Sequence, residues 1–507
     1  MIYLYDSLTK KKEVFKPRKG KTVTMYNCGP TVYDYVHIGN LRSFLLADTL
    51  RRYLEWRGYK VKQVMNITDV GHMVADVDVG KDKLEMASEK EKKTPWEIAK
   101  FYTQAFFEDI DSLRVKRAWK YPKATEHVPE MIKLIGKLLK KKTAYVVNGS
   151  VYYDLKTFPR YGALSGNKVG DLVAGKRVEV KEEKRNPYDF ALWIENPDHV
   201  MQWKAPWSIK AGYPGWHIEC SAMSMKYLGQ TMDIHTGGED NKFPHHECEI
   251  AQSEGATGKQ FVRYWLHVKH LLVNGKKMSK SLGNFYTLRD VLQKGFSPQA
   301  VRYALLSTHY CDTLNFTFDS LKAAQAALDR LNEFVNKVKS LRQAQAIFPE
   351  RIRQSAEKSK GLKNLIQTAR QDFTAAMDDD LNVSKALAVI FKFVRQMNQF
   401  FGKIPLSPPF PPKADPPREE KKGERGGFKE VLELLKDFDK VLGFGIGKSK
   451  TRRDIIPLEI KKLAQAREKA RQVKDWARAD KLRQEIEQKG YMVEDTASGP
   501  RIKKASG

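Results

Sequence analysis

Residues 22–68 read TVTMYNCGPTVYDYVHIGNLRSFLLADTLRRYLEWRGYKVKQVMNIT, and this stretch decides the fold class. Residues 22–28 carry β-forming side chains and lead into a Gly-Pro loop, which predicts a strand. From Asn40 the apolar residues recur at helical spacing as far as Gly58, and residues 59–68 then alternate as a second strand. Strand, helix and strand in this order form a βαβ unit, which predicts a parallel, doubly wound α/β sheet of the Rossmann type.

The remaining sequence extends this sheet and then changes character. Residues 75–185 are charged and mixed and indicate insertions, whereas the apolar, glycine-rich residues 211–275 predict the second half of the same sheet. Long helical patterns predict a mostly α-helical C-terminal half. The predicted domains are the first half of the α/β domain at 1–120, a connective insertion at 121–210, the second half at 211–270, a loop region at 271–318, a helical bundle at 319–445 with a proline-rich excursion at 403–427, and a small C-terminal domain at 446–507.

The charge balance of the 507 residues is strongly basic, with a formal net charge of +29. Solubility does not require so one-sided a balance, so it favours a polyanionic partner, with nucleic acid ahead of an acidic membrane surface. The sequence contains no run of about 18 uncharged apolar residues, so no membrane span is predicted. Its first residues lack the apolar core of a signal peptide. The cysteines at 28, 220, 248 and 311 form no C-x-x-C pair, which is typical of a reducing compartment. We therefore expect a cytoplasmic protein with no membrane association.

The first chemical motif is His37-Ile38-Gly39-Asn40, where the loop enters the first predicted helix. Backbone amides at a helix start favour anions, and Gly39 allows a phosphate or an adenine to approach the backbone closely. His37 and Asn40 can both donate hydrogen bonds from their side chains. The alternative is a capped helix start with an incidental histidine.

The second motif lies in residues 274–285, NGKKMSKSLGNF, a glycine-bounded loop that carries Lys277, Ser279 and Lys280. Alone, such lysines indicate a solvated charge run. Together with His37–Asn40, however, they resemble the HIGH and KMSKS signatures of class I aminoacyl-tRNA synthetases, with asparagine in place of the last histidine of HIGH. Attack of a carboxylate on the α-phosphorus of ATP builds negative charge that fixed donors stabilise.

That resemblance implies roles for individual residues. It assigns Lys280 to the phosphates in the transition state, with Lys277, His37 and Asn40 assisting, and it implies Mg²⁺ bound with ATP. The glycine turn of His235–Asp240 can bring the backbone to the nucleoside, with Asp240 as a ribose partner. The implied ATP-binding residues are Pro30, His37, Gly39, Asn40, Gly237, Gly238, Asp240, Lys277, Ser279 and Lys280.

Four segments narrow the resemblance: CGPTVYDYVHIGN (28–40), GWHIECSAM (215–223), FPHHECEIAQSE (243–254) and WARADKLRQEIEQKGYMVEDT (476–496). Together they are similar to cysteinyl-tRNA synthetases over nearly the whole chain. That family implies one Zn²⁺ per chain, and the positions that match its ligands are Cys28, Cys220, His245 and Glu249.

The residues alone indicate a metal only weakly. Cys28 and Cys220 are too far apart in sequence for a finger-like site. His245 and Glu249, four apart on a helix that follows Pro244, face the same way, although such a pair is more often a surface pair. Cys248 is close enough to the same face to be a rival ligand, and we expect it not to bind the metal.

A metal has a purpose here beyond stability. Cysteine and serine differ by one atom, and a shaped pocket separates such near-isosteres by only about a hundredfold. A borderline-soft metal prefers a thiolate and lowers the pKa of the thiol. Gly29, Thr68 and Trp216 are predicted to close the cysteine pocket, although each could equally be a core or turn residue.

The C-terminal helical stretch at 457–489 is basic on several faces, which alone indicates solubility. The resemblance implies an anticodon-binding domain in which Arg471, Asp480 and Asp495 contact the GCA anticodon, and such side chains suit hydrogen bonding to unstacked bases. We expect Trp476 to pack in the turn between two helices.

The leading hypothesis is a cysteine–tRNA ligase, expected to be a monomer, with tRNA(Cys), ATP and L-cysteine as partners. One rival is an amide-forming ligase on the same core that joins cysteine to an aminosugar. The other is a zinc-bearing RNA-binding protein without activity.

Overall fold

The computed structural model describes residues 1–71, 82–167, 183–347, 359–402, 426–447, 458–472, 475–496 and 499–504. The charged segment near 70–95 is therefore described only in part. Of the proline-rich excursion at 403–427, residues 403–425 lie outside the described residues. The described residues form two compact units. The first comprises those of 1–325, 357–410 and 436–444, and the second those of 326–356, 411–435 and 445–507.

The strands are, in chain order, β1 (Tyr3–Asp6), β2 (Lys11–Val14), β3 (Thr22–Asn27), β4 (Lys60–Met65), β5 (Ala144–Val147), β6 (Ser150–Tyr153), β7 (Phe190–Glu195), β8 (Gly212–Pro214), β9 (Met232–Gly238), β10 (Val262–Val268), β11 (Leu271–Val273), β12 (Lys276–Lys277), β13 (Leu314–Phe316), β14 (Tyr491–Thr496) and β15 (Gly499–Lys504).

The α-helices are α1 (Ile38–Trp56), α2 (Lys83–Glu91), α3 (Pro95–Ser112), α4 (Val128–Lys140), α5 (Trp216–Leu228), α6 (His245–Thr257), α7 (Leu288–Gln293), α8 (Pro298–Leu306), α9 (Phe318–Ile347), α10 (Ser359–Asp378), α11 (Val383–Gly402), α12 (Gly426–Leu442), α13 (Leu458–Gln472) and α14 (Trp476–Gln488). Short 3₁₀ turns occupy Thr125–His127, Leu155–Thr157 and Glu239–Lys242.

The centre of the first unit is a parallel sheet in the order β10-β9-β3-β4. The predicted βαβ unit is β3-α1-β4, and two strands within residues 211–275, β9 and β10, join the same sheet as predicted. The predicted α/β fold class is thus confirmed. The carboxyl ends of these strands meet at one edge, where the hydrogen bond from Cys28 N–H to Thr236 O (3.2 Å) continues the β3–β9 pairing.

The insertion contains an antiparallel sheet in the order β5-β6-β7-β8. Its last strand, β8, corrects the expectation that the segment after residue 211 starts the second half of the parallel sheet. Strands β7 and β8 approach so closely that Gly212 has no room for a side chain. A Cβ there would lie 2.2 Å from the carbonyl oxygen of Ile194. Local spacing shows that a strand forms but not which sheet it joins.

The second unit contains a small C-terminal structure of α13, α14 and the hairpin β14–β15. Its core is formed by Ile460, Ala464, Ile486 and Val493. Helix α14 begins at Trp476 because the Asp475 carboxylate accepts the N–H of Arg478 at 3.1 Å. Within the described residues, no helix is both long and apolar enough to cross a bilayer.

Candidate active site

Four predicted metal ligands converge at the carboxyl edge of the parallel sheet. Cys28 follows β3, Cys220 lies in α5, and His245 and Glu249 lie one turn apart on α6. One donor atom from each residue lies within 4.8 Å of the others. The His245 Nε2 to Glu249 Oε1 distance is 3.1 Å, and Cys28 Sγ lies 4.0 Å from the same oxygen.

Other histidines hold these side chains in place. His245 Nδ1 is 2.8 Å from Nδ1 of His217, and Glu249 Oε2 is 3.1 Å from Nε2 of His235. The His245 Nε2 and Glu249 Oε1 atoms therefore face the thiols while their companion atoms are engaged behind them. Metal ligands in proteins are typically oriented in this way.

His245 and Cys220 bind their protons strongly. Burial opposes protonation of His245, but hydrogen bonds with Cys220 and Glu249 outweigh it and raise the pKa of His245 to about 10. A hydrogen bond with Cys28, together with burial, raises the pKa of Cys220 well above its usual value. The site thus holds a proton that a metal ion would displace on binding. Two thiols, an imidazole and a carboxylate are a donor set that zinc accepts.

Two further histidines, His235 and His246, form an overlapping group with Cys28 and Glu249. His246 Nε2 lies 3.1 Å from Cys28 Sγ, and its Nδ1 is 2.8 Å from Nε2 of His267. No role was predicted from the sequence for His217, His235 or His267. Their signal was positional, since each lies in or beside a segment already assigned to this edge of the sheet.

Cys248 points away from the metal group. It is fully buried, and its Sγ lies 3.3 Å from the Tyr161 hydroxyl within the apolar core beneath α6. Among the described residues it belongs to no group of metal donors.

The three residues predicted to close the cysteine pocket lie around the metal group. The centroid of the Trp216 ring is 4.6 Å from that of His245, and the Thr68 hydroxyl donates to the buried Glu219 carboxylate at 2.8 Å. Gly29 has no room for a side chain, because a Cβ there would lie 1.7 Å from the carbonyl oxygen of Asn66. Their role in binding cysteine stays a prediction.

The His37–Asn40 turn is a capping box at the start of α1. His37 Nδ1 accepts the N–H groups of Gly39 (3.1 Å) and Asn40 (3.2 Å), and Asn40 Oδ1 accepts the N–H of His37 (3.3 Å). Burial lowers the pKa of His37 to about 4. His37 is therefore neutral at pH 7 with its proton on Nε2, and both ends of the motif are uncharged donors.

The loop of residues 274–285, which carries Lys277 and Lys280, lies against this turn. Ile38 N–H donates to Tyr286 O at 3.0 Å, and Lys280 Nζ forms an ion pair with Asp34 at 2.5 Å. The loop is closed by Asn284, which accepts the N–H of Ser279 (2.8 Å) and donates to the carbonyl of Lys277 (3.1 Å). No role was predicted from the sequence for Asp34 or Asn284.

The remaining predicted ATP-binding residues lie at or just beyond the carboxyl ends of β3 and β9. Gly237 and Gly238 end β9, and a Cβ on Gly237 would lie 2.6 Å from the His246 ring. The Asp240 side chain is 80% exposed, and its carboxylate is 3.6 Å from His270 Nδ1. Pro30 is buried, and its carbonyl accepts the N–H of Thr68 at 3.0 Å.

A third group of possible metal donors, His309, Cys311 and Asp380, lies outside this edge. Both ring nitrogens of His309 are already used: Nε2 donates to the carbonyl of Asp380 (2.7 Å), and Nδ1 accepts the N–H of Cys311 (3.3 Å). The arrangement is that of a structural corner.

Two of the predicted anticodon residues, Arg471 and Asp480, lie near Trp476 in the C-terminal structure. The Arg471 guanidinium is 5.5 Å from the centroid of the Trp476 ring, and Asp480 is exposed one turn further along α14. Asp495 lies in β14 opposite Pro500. The expectation that Trp476 packs in the turn is wrong, since its side chain is 54% exposed.

Family models match three stretches of the chain. The model for the class I (C) tRNA synthetase catalytic domain matches residues 14–326, the DALR domain residues 372–446, and the cysteinyl-tRNA ligase anticodon binding domain residues 453–500. The fold resembles that of Mycobacterium tuberculosis methionyl-tRNA synthetase in complex with methionyl-adenylate, with a TM-score of 0.57 and 12% identity over 84% of this chain and 90% of that one. The chain is a class I aminoacyl-tRNA synthetase.

Full-length relatives narrow the class. The cysteine–tRNA ligase of Protochlamydia amoebophila is 42% identical over 99% of this chain and 98% of its own length, and that of Chlamydia pneumoniae is 43% identical over the same shares. The chain therefore belongs to the cysteine–tRNA ligase family. It is an aminoacyl-tRNA ligase that joins cysteine to tRNA while ATP is converted to AMP and pyrophosphate.

Proposed function

We propose that the protein activates L-cysteine with ATP to cysteinyl-adenylate and transfers it to the 3′ end of tRNA(Cys), with Zn²⁺ selecting the substrate thiol. The observation that carries this proposal is the convergence of Cys28, Cys220, His245 and Glu249 at one edge of the parallel sheet. The capped turn at His37 lies at the same edge. A substrate between the two would have its thiol at one end and its carboxylate at the other.

One Zn²⁺ per chain would be held by Cys28, Cys220, His245 and Glu249, and when bound it would supply a position at which cysteine binds as a thiolate. His217 and His235 fix the ring and the carboxylate among these ligands. Serine has no thiolate to offer, so selection would rest on the chemistry of the donor atom instead of the size of the pocket.

The ATP end would work by placing donors around developing negative charge. His37 keeps its Nε2 proton available because Nδ1 is occupied by the helix cap. Lys280 would exchange Asp34 for the phosphates, and Lys277 and Asn40 would assist. ATP would bring Mg²⁺ with it.

The nucleoside would be bound at the end of β9. Gly237 and Gly238 would offer backbone groups to the ligand, the exposed Asp240 carboxylate suits a ribose hydroxyl, and Gly39 and Ser279 would lie beside the phosphates. Pro30 would contribute packing only, because it is buried and its carbonyl is used.

The anticodon would be read by Arg471, Asp480 and Asp495. The exposed Trp476 ring beside Arg471 supports this role, since aromatic and guanidinium planes stack on unpaired bases. The match of residues 453–500 to the anticodon binding domain argues against an aminosugar ligase. We further propose that the protein acts as a monomer in the cytoplasm, where tRNA, ATP and reduced cysteine are present together.

Charging of unfractionated tRNA with radiolabelled cysteine tests this function. We expect acid-precipitable label that requires ATP, that is released by mild base because the bond is an ester, and that is confined to one tRNA acceptor. Label on an aminosugar, or ATP-independent binding of tRNA without charging, would contradict the proposal and favour one of the rivals.

A further inference from the structure

The proposed function assigns protein groups to the thiol of cysteine and to ATP but none to the carboxylate that attacks the α-phosphate. We propose that Lys83 binds this carboxylate and holds it between the metal group and the His37–Asn40 turn. The inference rests on the proposed function, because it requires cysteine to occupy the pocket beside Trp216.

Lys83 is the first residue of α2, and its ammonium faces two aromatic rings. Lys83 Nζ lies 5.6 Å from the centroid of the Trp216 ring and 5.8 Å from that of Tyr33. These distances are within the range at which a cation is attracted to a ring face. The two rings therefore locate the positive charge.

One ring is beside the metal group, and the other is on the segment that leads to the His37–Asn40 turn. The Trp216 ring is in contact with the ring of His245, one of the proposed metal ligands, at 4.6 Å between centroids. Tyr33 lies on the segment that joins Cys28 to His37. A cysteine whose sulfur is at the metal group would lie beside the Trp216 ring, and its carboxylate would then be within reach of the Lys83 ammonium.

The start of α2 is anchored by a buried pair of polar side chains. Asp82 Oδ1 accepts the N–H groups of Leu84 (2.6 Å) and Glu85 (2.8 Å), and Asp82 Oδ2 lies 3.1 Å from Nε2 of His199. Asp82 and His199 are each 2% exposed. Such an anchor limits the positions that Lys83 can reach, which is what a substrate-orienting charge requires.

Comparing the binding of two ligands shows whether Lys83 binds the carboxylate or only packs against its neighbours. L-Cysteine carries the carboxylate, whereas cysteamine has the same thiol and amine without it. For Lys83→Gln in the full-length, zinc-loaded protein, we expect the calorimetric Kd of cysteine to rise about ten- to a hundredfold, the loss typical of a charge-assisted hydrogen bond. The Kd of cysteamine should stay within about twofold, because nothing it contacts has changed.

Two further variants control the measurement. Lys83→Arg keeps the charge and should retain most of the affinity for cysteine. Lys90→Gln removes the same charge from an exposed position in the last turn of α2 and should change neither Kd. The KM for cysteine in ATP–pyrophosphate exchange should follow the calorimetric values.

Equal weakening of cysteine and cysteamine by Lys83→Gln would show a packing role and overturn the inference, and so would an unchanged Kd for cysteine. Failure of the proposed function would instead appear in the unsubstituted protein, as binding of serine as tight as that of cysteine. The Lys83 comparison could then be repeated with serine and ethanolamine, which differ in the same carboxylate.

Discussion

Replacing Lys280 with methionine is expected to lower kcat for cysteine-dependent ATP–pyrophosphate exchange by about 10²–10³, with little change in the KM for cysteine. The size is that of losing one fixed donor from a site where negative charge develops. Lys280 is 65% exposed and paired with Asp34, so its removal leaves no buried charge and the loop keeps its Asn284 contacts. The loss should therefore fall on the chemical step instead of on folding.

The matched control is Lys276→Met, which removes a neighbouring exposed charge from β12. We expect its exchange rate to stay within about twofold of that of the unsubstituted protein, because a screened surface charge contributes little. Exchange by Lys280→Met within about threefold of normal would contradict the assignment of Lys280 to the phosphates.

Removal of the C-terminal structure is expected to spare exchange and to reduce tRNA charging. Termination after residue 452 keeps Gly447, whose N–H donates to Asn332 and whose carbonyl accepts from Lys339. It removes the core of Ile460, Ala464, Ile486 and Val493 together with Arg471, Asp480 and Asp495. Loss of three base contacts should lower kcat/KM for tRNA by about 10³ or more, since each contributes about 1–3 kcal/mol.

A double substitution in the intact chain guards against a general effect of truncation. Arg471→Ala with Trp476→Ala leaves the four core residues in place and should reduce kcat/KM for tRNA about 10–100-fold, with exchange unchanged. Normal charging by both proteins would refute the anticodon assignment, and loss of exchange by the truncated protein would show that the two parts are not independent.

The sequence predicted the parallel sheet because its signals are local. The apolar periodicity of α1 and the alternation of β3 and β4 are complete within residues 22–68. The sheet of β8 was mispredicted, because β8 shares the apolar, glycine-rich composition of the residues that follow it but pairs with the preceding strand, β7. The exposure of Trp476 was also mispredicted, since a residue at a helix start faces either the core or solvent with the same spacing.

The candidate metal group was likewise predictable only in part from the sequence. The facing of His245 and Glu249 follows from helical geometry, but Cys28 and Cys220 approach only because the end of β3 and the start of α5 lie at one edge of the sheet. The histidines behind the ligands lie in or beside predicted segments, but neither their contacts with the ligands nor the pairing of Lys280 with Asp34 follows from sequence spacing. They depend on distances that the fold alone sets.

A metal held by Cys28, Cys220, His245 and Glu249 is proposed to select the substrate by its thiol. The most direct test is the ratio of kcat/KM for cysteine to that for serine in ATP–pyrophosphate exchange by protein containing one zinc per chain. A shaped pocket would give a ratio of about a hundred, and selection through the thiolate should exceed it by at least a further factor of about ten. A ratio of about a hundred or less, or full exchange with cysteine by metal-free protein, would contradict selection of the thiol by the metal.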